Sequence, residues 1–116
     1  MRFFAIVAAL GILSAPLVAD AGAPYGAIAS YGSHWGYSVN RPTKAIATSH
    51  ALAACQRHAT GSCHVHVWFS GHGYCGALAA AGNVEAWGIG RGRARAEARA
   101  LSSLHGGRII KSVCNR

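Results

Sequence analysis

The residues with the most chemistry in this chain are crowded into Cys55–Cys75, CQRHATGSCHVHVWFSGHGYC. That stretch holds three of the four cysteines and four of the seven histidines. His64 and His66 lie two apart, and His72 follows in the glycine-rich turn Ser70-Gly71-His72-Gly73. Imidazoles so placed suit Zn²⁺ or Cu²⁺, and a catalytic zinc takes three such ligands plus water. The nearby Cys63 and Cys75 would join that set only as free thiolates. In a small exported chain, four cysteines read instead as two disulfides. No metal and no other cofactor is therefore expected.

Nucleophilic chemistry is equally poorly served. Cys63 adjoins His64, but no acid sits nearby to orient the imidazole. Glu85 and Glu97 belong to different predicted elements, which argues against a carboxylate pair. There is no G-x-S-x-G and no P-loop. Gly88-Ile89-Gly90-Arg91-Gly92 lacks the lysine and the βαβ context of a nucleotide site and reads as a strand-to-helix turn. No catalytic residue is assigned, and a non-enzymatic protein is expected.

The elements that position these residues come after a leader. Arg2 gives a positive start, Phe3 to Val18 is apolar, and Ala19-Asp20-Ala21 supplies the small residues of a cleavage site. Residues 1–21 are read as a signal peptide and 22–116 as one small domain. The formal net charge of +8 is unchanged by loss of the leader, which removes Arg2 and Asp20 together. Such a basic balance favours anionic partners.

Within that domain one plan runs twice. Tyr25-Gly26-Ala27-Ile28-Ala29 matches Cys75-Gly76-Ala77-Leu78-Ala79, and Trp35-Gly36-Tyr37 matches Trp87-Gly88-Ile89. The alanine-rich run 45–55 matches 94–104, and Val65–Phe69 matches Ile109–Val113. Repeats at a near-constant offset predict an internal duplication, with half-repeats over about 25–69 and 75–114. The expected fold class is α+β, a duplicated ββαβ unit with pseudo-two-fold symmetry and two disulfides. Pro42 is expected in the first turn of a helix running to about His58, with Ala45, Thr48, Leu52 and Cys55 inward. A second helix is expected over about 91–105, with Ala94, Ala98, Leu101 and Leu104 inward. In the central strand, Val65, Val67 and Phe69 should share one face, with His64, His66 and Trp68 on the other.

The duplication also bears on the cysteines, which allow three pairings. Cys55 corresponds to Leu104, and Cys63 falls opposite a region without cysteine. The joint absence of both in the second half is most simply explained by a Cys55–Cys63 bond. Cys75 and Cys114 then pair by default and are expected to staple the two halves.

The combination of Tyr25-Gly26-Ala27-Ile28-Ala29, Cys55 and Cys63 with the valine strand, Cys75-Gly76-Ala77-Leu78-Ala79, and Gly106-Gly107-Arg108-Ile109-Ile110 with Cys114-Asn115 resembles a known family. It is the secreted bacterial, mycobacterial-type family DUF4189, a domain of unknown function. The resemblance covers nearly the whole mature chain. It implies a pseudo-symmetric arrangement of strands and helices and no established catalytic site. Many members carry a further cysteine pair in the second half, which this chain lacks.

Two surfaces remain as candidates for contact. Arg91, Arg95 and Arg99 recur every fourth residue and would form a charged stripe on a helix, a candidate anion-binding ridge beside the apolar face. His64, His66 and Trp68 form a candidate surface contact. Trp35 and Trp87, at matching places in the two halves, are expected to be structural. The function expected is that of an exported binding or effector protein at the envelope. Export and family resemblance together imply, in a pathogen, a virulence effector at the host interface. The alternative is a polyanion-binding module for acidic lipid, polymer or nucleic acid, using the basic helix. A metal-binding protein or enzyme ranks third. Export disfavours nucleic acid, a membrane surface stays open, and no motif sets an oligomeric state. Mass spectrometry of exported protein is expected to find Gly22 at the N-terminus; retention of Met1 would defeat the leader assignment.

Overall fold

The computed structural model describes residues 24–116. The expected leader and its cleavage site lie outside the described residues. The elements run β1 (Tyr25–Tyr31), β2 (His34–Arg41), α1 (Lys44–Gln56), β3 (His64–Ser70), then β4 (Tyr74–Ala81), β5 (Val84–Arg91), α2 (Arg93–Leu101) and β6 (Arg108–Cys114). The duplicated ββαβ unit is thus the architecture. Each half makes its own antiparallel sheet, in the order β2-β1-β3 and β5-β4-β6. Both hairpins turn on a left-handed glycine, Gly32 (φ 60°) and Gly82 (φ 62°), at the same offset as the strands.

The two sheets pack face to face, and each helix covers the outer face of its own sheet. Ile28, Val67 and Phe69 meet Leu78 and Val113 between the sheets. Ala27 and Ala29 turn the other way, onto Ala47, Ala51 and Cys55 of α1. Ala77 and Ala79 do the same onto Ala96 and Ala100 of α2. The inward faces agree in part with those expected: Cys55 is buried and Leu52, Leu101 and Leu104 pack inward, but Ala45, Ala94 and Ala98 are exposed and the alanines two residues later are buried in their stead. The run of alanines at every second or third position leaves the register open, and the sheet chooses it. Pro42 also lies outside α1, since Thr43 is the cap and its Oγ1 accepts from Ile46 N at 3.1 Å.

Close approach of helix to sheet requires bare backbone. A methyl on Gly36 would land on Cys55 N and Ala54 C of α1, and one on Gly88 would stand 2.5 Å from Ala100 N of α2. These two glycines belong to the matched Trp-Gly pairs, yet they are not structural counterparts. The β1–β2 register pairs Ile28 with Tyr37, and the β4–β5 register pairs Leu78 with Trp87. Trp87 thus corresponds to Tyr37, and Trp35 to Glu85. The expectation that Trp35 and Trp87 occupy matching places is corrected by two residues. The sequence similarity reflects a shared need for glycine under a helix, met one helical turn apart.

A second irregularity redirects β3. Ile28 pairs with Val67 but Ala29 with Val65, so His66 is an extra residue, a β-bulge. The same bulge recurs in β6, where Leu78 pairs with Lys111 and Ala79 with Ile109, leaving Ile110 extra. Before the bulge Val65 packs toward α1, whereas after it Val67 and Phe69 face the other sheet. The simple alternation expected for this strand therefore fails at His66, which falls on the Val67 side.

Both expected disulfides are present, Cys55–Cys63 and Cys75–Cys114. Cys75 and Cys114 are direct cross-strand partners in β4 and β6. Their bond therefore lies inside the second half and does not staple the halves, as had been expected. One polar tie between the halves is Asn115, which is 3% exposed. Its Nδ2 donates to Pro24 O at 3.1 Å and Gly71 O at 3.3 Å, and its Oδ1 accepts from Asn40 N at 2.9 Å. At the centre, the Phe69 ring fills the space left by two glycines, Gly26 of β1 and Gly76 of β4; a methyl on Gly76 would stand 2.6 Å from that ring. Phe69→Ala is expected to cost about 3–5 kcal/mol through lost burial and the cavity it leaves. Gly36→Ala is expected to cost about 1–3 kcal/mol or more by overpacking against α1 backbone. Denaturant unfolding measures both; wild-type midpoints would refute the packing described.

Candidate functional site

The bulge and the register shift together build a surface that simple alternation conceals. β5 buries Ala86, Gly88 and Gly90 against α2, so Glu85, Trp87 and Ile89 point the other way, toward the edge of the first sheet. His66, turned to the same side by the bulge, stacks on Trp87 with centroids 4.7 Å apart. Between β3 and β5 runs an open groove of about 450 Å³, lined by His66, Trp68, Phe69, Tyr74, Trp87 and Ile89. Trp68 is 42% exposed, Trp87 44% and Ile89 37%. Three large apolar side chains gathered in one groove mark a contact surface more than scattered exposed residues would.

Cations sit on this aromatic surface. Lys44 Nζ, at the start of α1, lies 4.1 Å above the Trp68 ring, and the Arg91 guanidinium lies 5.9 Å above Tyr74. Both acids of the described chain are engaged internally. Glu85 Oε1 accepts from Ser30 Oγ at 2.9 Å, with His66 Nε2 3.9 Å from the same oxygen. Glu97 Oε2 accepts from Ser112 Oγ at 2.6 Å, and Arg93 donates to the same serine. Ser30, His66 and Glu85 resemble a hydrolytic trio in composition only. A nucleophilic serine hands its proton to the histidine, whereas Ser30 is 1% exposed and donates to the acid. The cluster braces one sheet against the other.

The sequence-predicted site residues are only partly brought together. His66 and Trp68 line the groove, while His64 is exposed at the start of β3. His72 lies apart, its Nδ1 2.8 Å from Arg116 O. Among the described residues no three of His, Cys, Asp and Glu gather as a metal-binding group. Arg91, Arg95 and Arg99 do not form one helical stripe. β5 runs through Arg91, which pairs with Tyr74, and Gly92 takes φ 94° before α2 begins at Arg93. Arg95 is exposed on α2, and Arg99 Nη1 donates to Ile89 O at 2.7 Å. The basic ridge thus crosses from strand end to helix, with Arg99 engaged.

Lys44, Trp87 and Ile89 were not singled out from sequence as contact residues. Trp87 was set aside because of its apparent match to Trp35. The exposed alternation Glu85, Trp87, Ile89 against alanine and glycine was the available signal. A second opening, of about 560 Å³, lies at the hairpin end of the sandwich, between Trp35, Leu78, Ile110, Glu85 and Arg108. Trp35 and Ile110 in its lining hold the places that Glu85 and His66 hold in the other half, and Glu85 itself also reaches it.

His64 and His66 were both expected to face away from the core, which holds only for His64. Alanine at His64 is expected to change stability by less than about 0.5 kcal/mol, and alanine at His66 to cost about 1 kcal/mol by unstacking Trp87. Equal effects in denaturant unfolding would count against the bulge-directed placement.

The chain is 38% identical over 98 residues to Protein Rv1269c of Mycobacterium tuberculosis, covering 84% of this chain and 74% of that protein. Protein Mb1300c of Mycobacterium bovis matches to the same extent. The fold is similar to the NMR structure of Rv1813c from Mycobacterium tuberculosis, with a TM-score of 0.58 and 29% identity, covering 78% of this chain and 75% of that one. A model of the family described as Domain of unknown function (DUF4189) matches residues 25–114, almost the whole of the duplicated ββαβ body, and the chain belongs to that family.

Proposed function

We propose that this chain is an exported, non-enzymatic binding protein that holds an anionic partner on its β3–β5 face. The carrying observation is the groove between Trp68 and Trp87, apolar along its length and rimmed by Lys44 and Arg91. Apolar area supplies affinity, and the cations select the sign of the partner's charge. The internal use of Glu85 and Glu97 leaves that rim without an opposing acid. Two disulfides are compatible with work outside the cytoplasm, where oxidised cysteines persist. They also suit a small domain whose core is built largely from alanine. In a pathogen the same surface would serve an effector meeting a host partner.

Retention on a sulfated anionic matrix tests this reading. The variant Trp68→Ala/Trp87→Ala keeps the net charge and is expected to elute at clearly lower salt than the wild type. Lys44→Glu/Arg91→Glu is expected to elute earlier still. Elution of the tryptophan variant with the wild type would show that retention follows net charge alone, and would remove the groove from the function.

A further inference from the structure

We propose that the occupant of this face is an extended acidic peptide segment that adds as a fourth strand to the outer edge of β3. The proposal deepens the reading of the β3–β5 face as a binding surface and rests on it. β3 pairs with β1 on one side and ends its sheet on the other. Exposed sheet edges are ordinarily shielded by charge or proline. Of the four edge strands, β2 carries Arg41, β5 carries Glu85 and Arg91, and β6 carries Arg108 and Lys111. β3, HVHVWFS, has no Lys, Arg, Asp, Glu or Pro. It is also the edge beside the groove.

A strand added there would continue both faces of the first sheet. On the face toward the second sheet it would cover Trp87 and Ile89, so its side chains on that side would be apolar. On the helix face it would lie beside Trp68 and under Lys44, so its alternate side chains there would be acidic. Main-chain hydrogen bonds would give affinity and the two side-chain rows would give specificity. Addition to the edge of β5 would not reach Trp68, which is on the helix side of the first sheet with Tyr25 and Lys44.

Other occupants fit less of this. A second copy would bring another +8 chain and a second Lys44–Arg91 rim against the first. A sugar could stack on the indoles and meet His66, Ser70 and Tyr74, but it would leave both Lys44 and the β3 edge unused. A single-stranded nucleic acid would stack on the indoles but would leave the β3 edge unused.

The test uses the full mature, oxidised protein and a synthetic peptide the length of β3. Its odd positions are glutamate, its even positions valine or phenylalanine, and its ends are blocked. Binding is read by tryptophan fluorescence and by hydrogen exchange of the β3 amides. The peptide is expected to bind, to slow exchange along β3, and to bind about tenfold or more weakly when alternate amides are N-methylated. Lys44→Glu is expected to weaken it by a similar factor. The N-methyl comparison is made on the wild-type protein, so it does not depend on any variant folding. Equal affinity of the N-methylated and parent peptides would overturn strand addition. If Trp68→Ala still weakened that binding, the face would stand with another mode of contact. Binding of oligothymidylate but not of the peptide, through the same tryptophans, would also overturn the proposal. If no probe responded to Trp68→Ala or Trp87→Ala, the face itself would fail as a binding surface.

Discussion

One aromatic ring holds this molecule's two halves in place. Phe69 lies between the sheets where Gly26 and Gly76, the same position in each half, both lack a side chain. A single large residue is accommodated by removing a Cβ from each central strand. Val113 is its counterpart in the second half and is smaller, so the junction is filled asymmetrically. With Phe69 fixed between the sheets, the bulge at His66 is needed to return Val65 to α1. That bulge turns His66 onto Trp87, while Trp68 stays on the helix side. The position of the groove thus follows from the packing of the core.

The halves share a plan but are secured differently. The first ties the end of α1 to the start of β3 through Cys55–Cys63. The corresponding place in the second is occupied by Leu104 packed on Gly107. The second ties β4 to β6 through Cys75–Cys114, where the first has Tyr25 paired with Ser70. The two open sides of the sandwich also diverge through few substitutions. Ser30, Glu85 and His66 make a polar brace; the corresponding Ala80, Trp35 and Ile110 make none and line a cleft that also takes in Arg108 and Glu85. Symmetry in the backbone has been kept while the side chains have been given separate tasks.

Much of this was legible in the residues. The repeat, the element order and both cysteine pairs could be read from spacing and from what one half lacks. What escaped was register. In α1 and α2 the alanines are too frequent for periodicity to choose a face, and only contact with Gly36 and Gly88 settles it. In β3 a bulge leaves no mark in an alternating sequence, so His66 and Trp68 were placed on one face. The Trp-Gly similarity pointed to the wrong partner for Trp87, because the glycine was matched to a helix and not to a strand position. The arginine run failed as a stripe for a local reason, the left-handed Gly92 between Arg91 and α2. The groove was invisible in sequence because its walls come from separate halves.

The backbone around Asn115 carries a further meaning. Gly71 N donates to Pro24 O at 2.9 Å, and Asn115 N donates to Tyr74 O at the same distance. These are the same bond in the two halves: the residue after the last strand of each unit returns to the beginning of that unit, at Pro24 in one and Tyr74 in the other. The end of the first unit also lies close to the beginning of the second, across Gly71-His72-Gly73. A splice this short joins the units without displacing either. The polypeptide has the layout of a symmetric dimer of ββαβ chains written as one, and in a single chain a change in either half need not be matched in the other.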